Sequence, residues 1–257
     1  MLGLTVNGFD DSSTASAYQL MRQPDPRLAR SIIDELGDAK SIVNVGAGLG
    51  SYEPNDRQVT AIDASREMIR GRRNAVGKAL VADAQDLPFA DGEFDAAMAV
   101  MTVQHWTNWR QGVREMCRVA SDSVSIFTWD PTYSEAYWLV RDYFQVIAEM
   151  DHRFPPITEI SNLLANPRVV QVPIPWDCRD GFLEAYWRRP ERFFEPLVWR
   201  ASSSLRRIAD EQREEGLSRL DDDLKSGSWY KQNSPIIGLE SLDLGFRIIS
   251  GEPRNEL

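Results

Sequence analysis

The feature that most constrains the fold is the alternation of short apolar segments with helical patterns between residues 41 and 130. The first apolar segment ends in a cluster of glycines, and three later ones end in Asp63, Asp83 and Asp130. Strands that alternate with helices form a parallel sheet with right-handed crossovers. The pattern therefore predicts an α/β fold, with strands at 41–50, 58–63, 78–83, 93–103 and 123–130.

The second half of the chain has a different pattern, because aromatic and aliphatic residues recur there at helical spacing. One continuous helix is predicted after Asp130-Pro131, where a proline suits the first turn. We expect one domain over residues 1–257 with helical insertions, although a separate cap domain is an alternative. Its predicted parts are an N-terminal arm and helix (1–40), a core (41–130) and helical segments (131–165 and 175–240).

Composition and charge narrow the class of partner. The net charge of −10 argues against nucleic acid, since phosphate contacts need a clustered basic face. Two cysteines without a CxxC motif and only two histidines argue against a disulfide framework or a metal site. Met1–Ser16 carries no export signal, and no apolar run approaches the ~20 residues of a membrane span. We therefore expect a soluble cytoplasmic protein without membrane, nucleic-acid or metal partners; the oligomeric state stays open.

The glycine cluster Gly46-Ala47-Gly48-Leu49-Gly50 follows an apolar strand directly. Glycine is needed where the backbone turns sharply and approaches a ligand closely. The GxGxG spacing differs from the GxGxxG pattern that places a pyrophosphate at a helix N-terminus. Asp63 ends the next strand, where an acid can accept both hydroxyls of an adenosine ribose. An acid in this position can bind the ribose of NAD, FAD or S-adenosylmethionine. The alternative explanation for the glycines is a tight turn between a strand and a helix.

The next stretch narrows the choice of cofactor. VADAQDLPFADGEFDAAMAV (81–100) places an acid at a strand end, then Leu-Pro-Phe, then Asp-Gly, then a further strand. With GxGxG and Asp63, this order resembles the class I S-adenosylmethionine-dependent methyltransferases, specifically the bacterial small-molecule group that includes the ubiquinone/menaquinone C-methyltransferases. The resemblance covers roughly residues 15–130 and identifies no substrate beyond them. It implies a Rossmann-like, mostly parallel seven-stranded sheet with helices on both faces.

The resemblance also implies roles for the matching positions toward S-adenosylmethionine. The amino-acid end of the cofactor would contact Gly46, Ala47 and Gly48, with Gly50 leaving room and Met101 beneath the methionine portion. Asp63 would bind the ribose hydroxyls. The residues implied around the adenine are Ala64, Met68, Asp83, Ala84 and Gln85. Tyr18 and Arg22 of the N-terminal arm would close over the cofactor.

Two departures from the family pattern concern cofactor binding. Family members usually carry an acid two residues before the first glycine, but this chain has Asn44, so one contact near the cofactor's ammonium is missing. Ser51–Arg57 is too short, and too interrupted by Pro54, to form the usual first helix. Without that helix its N-terminal dipole cannot contribute, which predicts a modest affinity for the cofactor.

The candidate catalytic residue is His105, just past the fourth predicted strand. A histidine's ordinary pKa near 6.5 suits a general base around neutral pH. The alternative is a structural histidine packed against Trp106. The aromatic residues of 176–199 likewise have two explanations: they line an acceptor pocket, or they form the core of the helical insertion.

The sequence predicts methyl transfer from S-adenosylmethionine to oxygen, nitrogen or activated carbon of a small molecule. The segments 131–165 and 175–240 would form a lid and pocket wall. A cofactor-binding pseudoenzyme or regulatory protein on the same fold is the alternative. An NAD-dependent oxidoreductase is disfavoured by GxGxG and by the Asp83 segment.

Overall fold

The computed structural model describes residues 18–72 and 77–254, so the expectation for Met1–Ser16 lies outside the described residues. The described chain forms two compact units. The sheet unit comprises residues 26–72, 77–131, 153–172 and 245–254, and the helical unit comprises 18–25, 132–152 and 173–244. The predicted segment 131–165 is thus divided, because its last part groups with the sheet.

The strands run as follows: β1 (Ser41–Val45), β2 (Gln58–Asp63), β3 (Ala79–Val81), β4 (Phe94–Val100), β5 (Ala120–Trp129), β6 (Ala165–Gln171), β7 (Ile174–Pro175), β8 (Ser241–Leu242) and β9 (Phe246–Glu252). Seven of them form the sheet of the sheet unit in the order β3-β2-β1-β4-β5-β9-β6. Only β9 runs against its neighbours; the other pairings are parallel. The predicted mostly parallel seven-stranded fold is confirmed.

From Pro26 onward, the α-helices of the described residues are α1 (Pro26–Asp34), α2 (Arg66–Arg70), α3 (Trp109–Val119), α4 (Trp138–Asp142), α5 (Val146–Asp151), α6 (Ile157–Ser161), α7 (Pro196–Ala201), α8 (Asp210–Ser226), α9 (Ser228–Gln232) and α10 (Ser234–Ile237). Short polar side chains start two of them. Ser65 Oγ accepts a hydrogen bond from Met68 N, and Asn108 Oδ1 accepts one from Gln111 N. These caps satisfy backbone N–H groups that a first turn leaves open.

The segment between Gly50 and β2 contains turns and bends but no helix, as its length and Pro54 predicted. β1 is nevertheless well buried, since four of its five residues lie in the core. Its central neighbour β4 is buried from Ala96 to Ala99, so this strand is covered on both faces. The sheet is therefore a rigid base for the loops that leave its strands.

The helical unit is built on an aromatic core. Trp138 is buried, packs edge-to-face against Phe193 and Trp229, and donates from Nε1 to Trp187 O at 2.7 Å. The continuous helix predicted after Pro131 is wrong, because the chain forms a 3₁₀ turn at Pro131–Ala136 and then α4 and α5. Because the chain breaks between these elements, successive aromatic side chains enter the core from different directions. Their tertiary packing overrides the preference for one helix that the spacing indicated. No helix in the described residues has the length and apolar character to cross a membrane.

Candidate cofactor site

The candidate site lies where parallel strands end at a common edge of the sheet, here called the carboxyl edge. β1, β2, β3, β4 and β5 all run in the same direction, so their last residues share this edge. The strand order reverses between β1 and β4. In open α/β sheets, ligands bind outside the carboxyl ends of the strands at such a reversal.

Gly46 directly follows β1 and lies close to Thr102 in the loop that follows β4. Its φ of +72° is left-handed, and its N–H donates to Ile62 O of β2 at 2.8 Å. A Cβ on Gly46 would lie 2.7 Å from Thr102 Cγ2 and closer still to Thr102 Oγ1. Only glycine fits both the backbone conformation and the close approach of the β4 loop.

Asp63 holds the glycine loop from the end of β2. Its Oδ2 accepts a hydrogen bond from Gly48 N and its Oδ1 one from Ser65 N, each at 2.8 Å. A carboxylate has about four acceptor positions, so both oxygens can accept further hydrogen bonds. At Gly48, with φ +52°, no heavy atom of the described residues lies within 4 Å of a Cβ position. The loop therefore has open space beside a carboxylate that can bind two hydroxyls.

A buried ion pair that sequence reasoning missed lies behind this loop. Arg72 donates to both oxygens of Glu53, at 3.0 and 2.6 Å, and the two side chains are only 6% and 9% exposed. Asn44 Nδ2 donates to Glu53 Oε1 at 2.8 Å. A Cβ on Gly50, whose φ is +87°, would lie 3.1 Å from both Arg72 Nη1 and Glu53 Oε2. No motif or spacing in the sequence indicated this pairing.

The residues predicted around the adenine follow β2 and β3. Gln85 donates to Asp83 Oδ1 from its backbone N at 2.9 Å and from Nε2 at 3.0 Å. Asp83 is exposed and Ala84 is buried, so the carboxylate faces solvent on a fixed turn. Ala64 is exposed and Met68 half-buried at the start of α2.

The loop after β4 is strained. Met101 has a φ of +50°, rare for a residue with a side chain, while its N–H donates to Phe127 O at 2.8 Å. Gln104 Nε2 donates to Met101 O at 3.0 Å, which holds the turn. His105 is exposed and its backbone N donates to Thr102 O. Strained residues cluster at functional sites, and this one marks the carboxyl edge.

Tyr18 and Arg22 belong to the helical unit. Arg22 Nε donates to Asp180 Oδ1 at 2.5 Å, and its guanidinium lies 5.1 Å from the centre of the Tyr18 ring. The structure thus brings these two predicted residues together with Asp180.

The aromatic residues of 176–199 are mostly core. Trp187 is 0% exposed, Tyr186 is 3% exposed, and Trp187 Nε1 donates to Ile174 O at 3.1 Å. Core packing, one of the two explanations offered above, accounts for both. Within the described ranges no three His, Cys, Asp or Glu side chains form a group that could hold a metal ion.

Comparisons with known proteins agree with this geometry. Residues 43–127 match the family described as a methyltransferase domain. An O-methyltransferase of Penicillium expansum is 31% identical over 136 residues, which cover 46% of this chain and 48% of the relative. The demethylmenaquinone methyltransferase of Porphyromonas gingivalis is 30% identical over 101 residues, covering 34% and 41%. The chain spans about half the length of the first curated relatives it matches.

A solved structure is similar over a longer range. A proposed methyltransferase from an antibiotic biosynthesis pathway of Anabaena variabilis has a TM-score of 0.84 and 28% identity. The match covers 90% of this chain and 99% of that chain. The matched family region contains the glycine loop, Asp63 and Asp83, which are positions on which the resemblance depended. Residues 43–127 of the chain are therefore similar to a methyltransferase domain.

Proposed function

We propose that the chain binds S-adenosylmethionine at the carboxyl edge and transfers its methyl group to a small-molecule acceptor. The observation that carries this proposal is Asp63, whose carboxylate holds the glycine loop and still has acceptor positions. A ribose with two adjacent hydroxyls can donate to both oxygens. The open space at Gly48 supports the fit, since a ligand can approach the loop backbone there.

The other predicted positions supply the remaining contacts in this proposal. Gly46 and Ala47 face the amino-acid end of the cofactor, and Asp83 accepts from the adenine amine. Ala64, Met68, Ala84 and Gln85 surround the adenine, and Met101 lies beneath the methionine portion. The roles given to Tyr18 and Arg22 stay predictions.

The sulfonium of the cofactor supplies an electrophilic methyl group. The task of this chain is then to hold the acceptor atom in line, about 3–3.5 Å from the methyl carbon. His105 is exposed after β4, a position that supports a role toward an acceptor hydroxyl. An amine acceptor needs alignment alone.

A small acceptor is supported by two observations. The net charge of −10 disfavours a nucleic-acid substrate. The similar Anabaena variabilis structure is described as a methyltransferase from an antibiotic biosynthesis pathway. We infer further that the helical unit, whose sequence lies outside the matched family region, carries the acceptor selectivity.

Calorimetry with S-adenosylmethionine, S-adenosylhomocysteine and NAD tests the cofactor. Binding of the first two without NAD is expected, and binding of NAD alone would overturn the proposal. A panel of phenol, amine and activated-carbon acceptors, with products identified by mass spectrometry, tests methyl transfer. Tight cofactor binding without turnover on any of them would favour the pseudoenzyme.

His105→Gln tests the base, with His152→Gln as the matched control because His152 is the only other histidine. For a hydroxyl acceptor, general-base assistance of about 10²–10⁴-fold predicts that kcat falls by at least ~100-fold while cofactor binding persists. The control should keep its rate. A variant with more than about a third of the wild-type kcat would make His105 structural and point to an amine or carbon acceptor.

A further inference from the structure

An open cavity of about 460 Å³ lies at the edge of the sheet where β1 and β2 begin, here called the amino edge. This volume falls within the range of small-molecule sites, about 300–1,000 Å³. β1 has five residues, so its length alone separates the amino edge from the glycine loop by about 13 Å. The residues that line the cavity are Lys40, Ser41, Asn55, Asp56, Arg57 and Gln58.

Hydrogen bonds fix the part of this lining that belongs to the two strands. Asp95 Oδ2 accepts from the backbone N–H groups of Lys40 and Ser41. Gln58 N donates to Lys40 O at 2.9 Å, and Gln58 pairs with Ser41 in the parallel ladder. The backbone that carries the Lys40 and Gln58 side chains is therefore held in place, and a ligand would meet a pre-formed surface.

Arg57 carries a guanidinium that the described residues satisfy only in part. Its side chain is 17% exposed, and its Nη1 is buried without a hydrogen-bond acceptor among those residues. Asp56 Oδ1 lies 3.7 Å from Arg57 Nε, which is longer than a hydrogen bond. A buried donor without an acceptor costs free energy, and more so when it is charged. Because no hydrogen bond ties Nη1 in place, the guanidinium can turn toward the cavity that it lines.

The charge of the lining favours an anion. Lys40 and Arg57 carry two positive charges and Asp56 one negative charge, so the lining has a net charge of +1 in a chain with a net charge of −10. The Asp56 side chain is 69% exposed, and water screens its charge. Neutral hydrogen-bond donors are present as well, on the side chains of Ser41, Asn55 and Gln58.

We propose that the cavity at the amino edge binds the oxyanion group of a small molecule, a phosphate or a carboxylate, through Arg57 and Lys40. A guanidinium can donate two parallel hydrogen bonds to two oxygens of either group, and the Lys40 ammonium supplies a further positive charge. The volume of the cavity leaves room for the rest of a small molecule. The site goes beyond methyl transfer, since none of its lining residues is a predicted cofactor position.

The test is a titration of the full chain with sodium phosphate and with sodium acetate, followed by NMR of the backbone N–H groups. Sodium chloride at the same ionic strength is the reference, because salt alone screens surface charge. The variants are Arg57→Gln and Lys40→Gln. The matched control is Arg114→Gln, which removes an exposed arginine of α3 outside the cavity. Thermal unfolding reports folding; if Arg57→Gln does not fold, Lys40→Gln decides, because Lys40 is exposed.

In the wild type, the signals of residues 40–41 and 55–58 should shift and saturate with at least one of the two anions, with a Kd of about 10 mM or less. Loss of a charge-assisted hydrogen bond should weaken this binding at least about 10-fold in both variants, and Arg114→Gln should stay within about twofold of the wild type. Saturation by only one anion identifies the oxyanion. Wild-type shifts no larger than those with chloride, or folded variants that bind as the wild type does, would overturn the inference.

A second measurement separates this site from the cofactor site. The affinity for S-adenosylhomocysteine should be the same, within about twofold, with and without the saturating anion, because the two ligands occupy opposite edges. Competition between them would place the anion at the carboxyl edge and overturn the inference. A chain that binds the anion but neither S-adenosylmethionine nor S-adenosylhomocysteine would overturn only the proposed function.

Discussion

The two edges of the same sheet are built on different principles. At the amino edge, Asp95 Oδ2 accepts hydrogen bonds from Lys40 N at 2.7 Å and Ser41 N at 2.9 Å, and Asp95 N donates to Ser41 Oγ. At the carboxyl edge, Met101 is left-handed and Asn44 Oδ1 has no donor among the described residues. Hydrogen bonds within the protein satisfy the polar groups of Asp95 and Ser41 at the amino edge, whereas the carboxyl edge holds a left-handed residue and a buried acceptor without a partner among the described residues.

The largest expected effect on the free energy of unfolding comes from a glycine-to-alanine substitution at the carboxyl edge, compared with the same substitution at the amino edge. Gly46→Ala adds a Cβ that collides with Thr102 and forces alanine into a left-handed conformation. Gly37→Ala, between α1 and β1, meets a left-handed φ of +53° but no described heavy atom within 4 Å. Left-handed alanine costs about 1–2 kcal/mol and overpacking about 1–3 kcal/mol more.

Gly46→Ala should therefore lower the free energy of unfolding by about 2–5 kcal/mol, and Gly37→Ala by only about 1–2 kcal/mol. Urea denaturation measures both. Only Gly46→Ala should also weaken S-adenosylhomocysteine binding. Equal losses of stability would mean that the contact with Thr102 carries no energy.

Substituting one aspartate at each edge distinguishes an effect on stability from an effect on cofactor binding. Asp63 and Asp95 each accept two backbone N–H groups, one at each edge. Either change to alanine should cost about 1–3 kcal/mol of unfolding free energy. Asp63→Ala alone should weaken S-adenosylhomocysteine binding, by about 10–150-fold, because it removes the ribose acceptor.

Calorimetry on both variants, after denaturation has shown that they fold, distinguishes these effects. An unchanged affinity in Asp63→Ala would remove Asp63 from the site. A weakened affinity in Asp95→Ala would show that the two edges do not act separately.

The smallest expected effect is the change in unfolding free energy with pH that Asp95 contributes at the amino edge. Hydrogen bonds from the backbone of Ser41 and Lys40 hold the pKa of Asp95 below its ordinary value of 3.8. The carboxylate therefore stabilises the fold above that ordinary value, and this contribution is lost as pH falls through the lower folded-state pKa. Asp95→Asn should lose less stability than the wild type when the pH is lowered from about 6 to about 3. Denaturation at both pH values measures the difference, and parallel curves would contradict it.

Much of the sheet unit was predictable because its signals are local. Apolar runs between residues 41 and 130 correctly indicated β1 to β5. The loop without a helix before β2 followed from Pro54 and its length. The match of residues 43–127 to a methyltransferase domain agrees with the predicted family, whose glycine loop, Asp63 and Asp83 can be located from the sequence alone.

The helical unit was harder to predict because its packing is not local. Helical spacing after Pro131 indicated one helix, but the aromatic core around Trp138 broke it into a 3₁₀ turn and two short helices. Spacing along a chain cannot show which aromatic residues meet. The same limit left open whether Tyr186 and Trp187 line a pocket, until their burial placed them in the core.

The sequence by itself determined the succession of strands along the chain to β5 and the positions of the glycine loop, Asp63 and Asp83, because each depends on neighbours a few residues apart. Only the tertiary structure decided what Asn44 does. From the sequence it was a missing acid; in the fold it is a buried amide oriented by Glu53, which Arg72 holds in turn. Hydrogen bonds between residues 9 and 19 positions apart leave no periodic trace in a sequence, and so their meaning appears only when the chain is folded.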